Sequence, residues 1–159
     1  MLDVTEIECF EREDAMIEVG KKIFHNYTDI ENKVIWNKGD ITSDLIDKKY
    51  DLVVSSYMIN EIKNESFDET IEIMWNISKD MILIVEPGTV QGYQNIMRAK
   101  EKLMSLGGKI IAPCMTEKCS LPKDDWCNFY CRVQRTKIHK DLKLGNVPFE
   151  DEKFMYIAI

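Results

Sequence analysis

No stretch of the 159 residues is apolar over anything near the roughly 20 positions of a membrane span, so a spanning helix is not expected. The opening residues, Met1 to Asp14, are rich in acids, which is not the composition of a secretory leader. Positive charge is not in excess: 21 Lys and Arg stand against 28 Asp and Glu, a formal net charge of -7. Overall attraction to DNA or any other nucleic acid is thereby excluded, and an RNA contact needs a local patch. None of the seven glycines is spaced Gly-x-Gly, so the sequence lacks a tight turn of backbone amides that closely approaches a dinucleotide or nucleoside. Internal repeats, low-complexity tracts and linkers are also missing, which suits one domain over 1–159 in the cytoplasm.

What is there alternates. Val4 to Phe10 reads as a strand, and Met16, Gly20, Ile23 and Tyr27 then recur at helical spacing. Val34 to Trp36 is a short strand ending near Gly39-Asp40, and Asp51 to Tyr57 is a stronger one, β-branched at its centre. Ser66 and Glu69 form a capping-box pattern before a helix with Phe67, Ile71, Met74 and Trp75 on one face. Met81 to Val85 is a continuous apolar run, as in a strand buried on both faces, and Glu86-Pro87-Gly88 ends it. Tyr93, Ile96, Met97, Lys100, Leu103 and Met104 mark the next helix, stopped by Gly107-Gly108. Lys109 to Ala112 and Phe154 to Ile159 read as the last strands. Alternation of this kind predicts an α/β fold with a mostly parallel sheet covered by helices.

Between those last strands the alternation breaks. Residues 113–152 hold four of the five cysteines and read as an insertion within the single domain. Cys114, Cys119, Cys127 and Cys131 fall within 18 positions, spaced x4, x7 and x3. In a reducing compartment such a group predicts a metal site, zinc or an iron–sulfur cluster, because four thiolates complete either. Cys131 is the least secure ligand: on an extended strand it stands about 13 Å from Cys127. A core thiol is its alternative, and Cys9, inside the first strand, is read as core. Arg132, Arg135, Lys137, Lys140 and Lys143, with His139 among them and Asp141 as the one acid, form the concentrated basic patch of an acidic chain. It suits RNA phosphates, or it is simply a solvated charged face.

One combination of strings is specific. Ser56 to Glu61 reads SYMINE, Glu86 to Thr89 reads EPGT, Ala112 to Cys114 reads APC, Asp125 to Cys127 reads DWC and Glu150 to Phe154 reads EDEKF. In this order they resemble the ribosomal RNA methyltransferase-like family that includes the mitochondrial small-ribosomal-subunit assembly protein. The resemblance implies a Rossmann-like class I methyltransferase fold with an antiparallel last strand, S-adenosylmethionine as cofactor, and the small ribosomal subunit or its rRNA as partner. It also implies an iron–sulfur cluster with Cys114, Cys119 and Cys127 among its ligands. Family members carry a strand and a glycine-rich turn upstream of the segment matching Leu2 to Arg12, and a continuation beyond Phe154 to Ile159 that holds one cluster ligand. The chain is therefore expected to be a partial domain, and to hold S-adenosylmethionine weakly.

Doubly wound sheets bind ligands beyond the carboxyl ends of their strands. The resemblance puts Glu11, with Glu8 as fallback, where an acid accepts from both ribose hydroxyls, and Asp40 where one accepts from the adenine amine; otherwise both are solvated turn acids. Ser55, Ser56, Tyr57, Asn60 and Glu61 follow the strand that faces the transferred methyl in this fold class, with Ser56 on the cofactor side. Methyl transfer needs positioning more than acid–base chemistry. Asn60 and Glu61 are candidates for holding an exocyclic amine, or they cap the next helix. Glu86, ending the neighbouring strand, is a second candidate for the same cleft. The rival function is a ribosome-assembly factor that keeps fold and cluster without catalysis.

Overall fold

The computed structural model describes residues 3–116, 121–122, 125–143, 145 and 147–159. The chain divides into two compact units, Met1–Asp47 and Lys48–Ile159. None of the helices among the described residues is long and apolar enough to cross a membrane.

In the first unit, β1 (Ile7–Glu11) is followed by α1 (Asp14–Phe24), the short α2 (Thr28–Glu31) and β2 (Val34–Lys38). The two strands pair in parallel, with Glu11 level with Lys38. The inner face of α1 is Ile17, Gly20 and Phe24. Ile17 is buried, Phe24 meets the Trp36 ring edge-on at 6.0 Å, and a Cβ at Gly20 would stand 2.1 Å from the Trp36 ring. The face expected from sequence shared only Gly20 with this one: Met16, Ile23 and Tyr27 are exposed. The bulky indole of Trp36 selects the smallest residue opposite it, and that rotates the helix by about one position.

The second unit contains β3 (Tyr50–Ser56), a 3-10 turn (Ile59–Glu61), α3 (Asn64–Ile77), β4 (Ser78–Pro87), α4 (Val90–Ser105), β5 (Phe129–Gln134), α5 (Lys137–Leu142) and β6 (Phe149–Ala158). Its sheet runs in the order β3-β4-β6-β5. β3 and β4 are parallel, and β6 is antiparallel to both β4 and β5. Side chains alternate along a strand, so Ile82, Ile84 and Glu86 of β4 share a face, and the register adds Met155 and Ile157 of β6 to it. All five are buried, together with Ile71 and Met74 of α3 and Ile96, Ala99 and Leu103 of α4. The helices are tied to each other by Arg98 to Asp68 at 2.9 Å and Lys102 to Glu72 at 2.7 Å.

Three local expectations give way. The capping box at Ser66 does not form: α3 begins two residues earlier, and its first turn has no side-chain cap at Lys63. Lys109 to Ala112 makes only an isolated bridge, Ala112 to Ala158, on the edge of β6 that β5 leaves open beyond Phe154. The stretch after the first cysteine is not wholly outside the sheet, since β5 pairs with β6 from Phe129↔Phe154 to Gln134↔Phe149. The final strand accordingly starts at Phe149 rather than Phe154.

Candidate functional site

Parallel β3 and β4 bring Ser56 and Glu86 to the same, carboxyl, end of the sheet. Tyr57, next after β3, has φ 55°, a left-handed conformation that costs a non-glycine residue about 1–3 kcal/mol. Its amide still bonds the Val85 carbonyl at 2.8 Å, so the strain sits where the chain leaves the sheet and turns into Ile59–Glu61. That turn is pinned from below: the Ile59 amide donates to Glu86 Oε1 at 3.2 Å. It is pinned from the side as well, since Asn95 of α4 donates to Asn60 Oδ1 at 3.1 Å. Glu61 and Ser56 are exposed at the same end. Of the acceptor-site candidates, then, Ser56, Asn60, Glu61 and Glu86 are brought together.

Glu86 is fully buried. Burial pushes its carboxyl up from 4.5 to about 7, against the amides of Ile59, Asn60 and Met58, which favour the charged form, and with some help from repulsion by Glu61. Among the described residues, neither Glu86 Oε2 nor Ser55 Oγ has a hydrogen-bond partner, although both are buried. Ser55 is level with Ile84 and so lies on the face of Glu86, one step down the strand. Both atoms lie on one face near the carboxyl end of β3 and β4, the end at which such sheets take their ligands. The sequence carries the signal for this: Glu86 continues the Ile82, Ile84 alternation at the end of an apolar run.

In the first unit, Glu11 ends β1 and Asp40 lies two residues past the end of β2. The Gly39 amide bonds the Glu11 carbonyl at 3.1 Å, so the two strand ends are adjacent. Glu11 Oε1 accepts from the Glu13 amide at 2.9 Å. Asp40 Oδ1 accepts from the amide and hydroxyl of Thr42, and these bonds hold its carboxyl below the usual range. Asp40 is therefore an ionised acceptor. Two carboxylates at adjacent carboxyl ends are the donor-seeking set that a ribose and an adenine amine require, and the residues fit that half of an adenosyl cofactor. Glu8, the fallback, instead accepts from Asn37 at 3.1 Å within the pair of strands.

Cys119 lies outside the described residues. Cys114 and Cys131 are exposed, and the Cys127 thiol points at Met155 Sδ, 3.7 Å away. Cys131 is on β5, level with Glu152. Among the described residues, the set of three potential metal ligands whose atoms lie within 4.8 Å of one another is His139, Glu150 and Glu152. The cation position there is filled by side chains: Arg135 bonds Glu150 at 3.0 Å and Lys143 bonds it at 2.7 Å. Cys9 lies in β1, half-buried, and burial raises its thiol.

The basic patch changes character in space. Asp141 is its one acid in sequence, but antiparallel β6 lays Glu150, Asp151 and Glu152 beside it. Arg132 makes two bonds to Asp151, at 2.7 and 2.9 Å, while Arg135 and Lys143 converge on Glu150. Lys137 and Lys140 stand on α5. A cleft lined by Lys49, Trp75, Ser78, Gly108 and Ile159 opens at the amino-terminal end of β3 and β4, the end of a parallel sheet that does not take ligands.

A family model described as mitochondrial small ribosomal subunit Rsm22 matches residues 2–159. The chain belongs to the Rsm22 family. No curated protein sequence matches it. Solved structures similar to this Rsm22-family chain share its fold at low identity. One is a candidate methyltransferase from Thermoplasma acidophilum, with TM-score 0.59, 12% identity, and 96% of this chain and 56% of that one covered. Another is a precorrin 8W decarboxylase from Methanobacterium thermoautotrophicum, with TM-score 0.60, 15% identity, and coverage of 97% and 69%. A third is a magnesium protoporphyrin IX methyltransferase from Synechocystis PCC 6803 with bound S-adenosylmethionine, with TM-score 0.57, 9% identity, and coverage of 96% and 59%. The fold is that of class I methyltransferases, and the chain spans little more than half the length of the first and third of these proteins.

Proposed function

We propose that this chain is part of an S-adenosylmethionine-dependent methyltransferase that acts on small-subunit ribosomal RNA. The observation that carries the reading is the buried Glu86 carboxyl, bonded to the turn that presents Asn60 and Glu61 at the carboxyl end of the sheet. Family membership supports a ribosomal partner. The cofactor would bring an electrophilic methyl group, with Glu11 and Asp40 of the first unit accepting from its ribose and adenine. Asn60 and Glu61 accept from the exocyclic amine of the target base, which orients its lone pair and leaves Glu61 placed to receive the proton released on transfer. Glu86 does not touch the base: it is a positioning residue that fixes the turn through the Ile59 amide. Lys137 and Lys140, with Arg132, Arg135 and Lys143 where their carboxylate partners yield, hold RNA phosphates. The site of action is the ribosome, in the cytoplasm or, following the family description, the mitochondrion.

A second reading is favoured by one sequence observation, the lack of Gly-x-Gly among the seven glycines. In that reading the chain is a non-catalytic assembly factor carrying an iron–sulfur cluster, or zinc, on Cys114, Cys119, Cys127 and Cys131. Calorimetry with S-adenosylmethionine and transfer of labelled methyl to small-subunit RNA separate the two. Cofactor binding that is lost in Glu11→Ala, with transfer lost in both Glu11→Ala and Asn60→Ala, supports the enzyme. RNA association with neither cofactor binding nor transfer supports the assembly factor.

A further inference from the structure

β5 is the last strand in the order of its sheet, and with β6 it extends as a two-stranded ribbon. The register divides its side chains cleanly. On one face, Glu150 receives Arg135, His139 and Lys143, and Glu152 lies 4.0 Å from Lys143. Tyr130, Arg132 and Gln134, level with Lys153, Asp151 and Phe149 respectively, share the other. That second face is open: Tyr130 is 68% and Phe149 48% exposed, and Arg132 and Lys153 are exposed too. Large exposed rings on a strand face usually bury against something, and here two of them frame two cations and a single carboxylate.

The face is continuous with the site already described. Lys153, Met155 and Glu86 lie on the same side of the sheet, Met155 being level with Glu86. Between them the chain passes through Gly88, where a Cβ would stand 2.7 Å from the Lys153 Cβ. The bare glycine lets the end of β4 lie flat against the ribbon. The exposed part of this face therefore starts at Lys153, beside the end of β4, and runs through Tyr130 to Arg132 and Phe149.

We propose that this ribbon face is a stacking track for single-stranded RNA, leading the strand toward the Glu86 end of the sheet. Aromatic rings take bases of any sequence, and cations between them take the linking phosphates. Tyr130 and Phe149 are four positions apart along the ribbon, about 13 Å at strand rise, so their bases are separated by a splayed segment rather than stacked as neighbours. The exposed Arg132–Asp151 pair opens at little cost, freeing the guanidinium for phosphate. The track deepens the proposed function by naming the form of its RNA, and it rests on that reading only for the direction in which the strand points.

The test is the affinity of the chain for a short unstructured oligoribonucleotide, read by fluorescence anisotropy beside methyl transfer. Tyr130→Ala and Phe149→Ala are each expected to raise Kd about tenfold, as loss of one base stack does. Tyr130→Phe should stay within about twofold, and Tyr130→Leu should behave as the alanine variant, since it keeps apolar bulk without a ring. Lys153→Ala should lower the salt slope by about 0.7. Unchanged affinity in both alanine variants, full binding by Tyr130→Leu as for a protein-docking surface, or equal binding of duplex RNA would overturn the track. RNA binding with these sensitivities but no methyl transfer overturns the proposed enzyme and leaves the track standing.

Discussion

Glu86 accepts the backbone amide of Ile59 at 3.2 Å, so the end of one strand holds the turn that follows its neighbour. The bond joins positions 27 residues apart and is fully buried. Its donor cannot find water if the carboxyl is removed. Glu86→Ala is expected to lose about 1–3 kcal/mol in urea unfolding, the cost of stranding a buried donor.

The same carboxyl makes stability depend on pH. Its proton affinity is raised in the folded state, from an ordinary 4.5 to about 7. The folded protein therefore binds more protons than the unfolded one in that window. The contribution of Glu86 is complete below about pH 4.5 and is lost as pH rises through 7. A shift of this size is on the order of 3 kcal/mol at about 1.4 kcal/mol per tenfold change in proton affinity. Glu86→Gln, which keeps an acceptor for Ile59, should flatten that slope and be the more stable form at pH 8. Unfolding curves for both proteins at pH 5 and pH 8 check it, and parallel slopes would contradict it.

Gly92 of α4 faces the Pro87 carbonyl, and a Cβ there would lie 2.0 Å from that oxygen. Neither partner is a flexible side chain. Gly92→Ala should move α4 away from the end of β4, outweigh the helix propensity it gains and cost about 1–3 kcal/mol. Because Asn95 orients Asn60 from the same helix, transfer activity should fall together with stability.

Glu150 gathers Arg135, His139 and Lys143, and the bonds from Lys143 and Arg135 pull its carboxyl down to about 2. Here the stabilisation is present above pH 4.5 and is lost as pH falls through 2. Glu150→Gln should loosen α5, seen as faster amide exchange over 137–142, with the difference shrinking in high salt.

Anaerobically purified protein should carry iron and acid-labile sulfide, and Cys114→Ser should bleach its colour. Colourless protein with one zinc per chain would keep the thiolate site and change its metal. Protein free of both would end the cysteine proposal.

Much of the second unit was legible in the chain because its signals are local. The Met81–Val85 run became the centre of β4, and the Phe67, Ile71, Met74 spacing became the inner face of α3. The antiparallel last strand came with the family resemblance, and β6 has that direction. What sequence missed depends on distant partners. β5 carries weak alternation and is a strand because β6 pairs with it. The face of α1 turns on Trp36, sixteen positions beyond Gly20. The basic patch looked uncompensated because its carboxylates arrive from β6. At the site, Glu86 was visible as a strand-end acid, whereas its burial and its grip on Ile59 belong to the folded chain alone.

The sheet order β3-β4-β6-β5 has a consequence for synthesis on the ribosome. β5 has no sheet partner until β6, which follows it in the chain, has emerged and inserted between β5 and β4. Through the time that separates them, at about 5–20 residues per second, Tyr130 and Arg132 wait on an unpaired strand while β3, β4 and their helices can already be packed. The nascent protein acquires the carboxyl end of its sheet before the ribbon that extends it, so any capacity to engage RNA along that ribbon switches on only after the segment through Ala158 has left the exit tunnel.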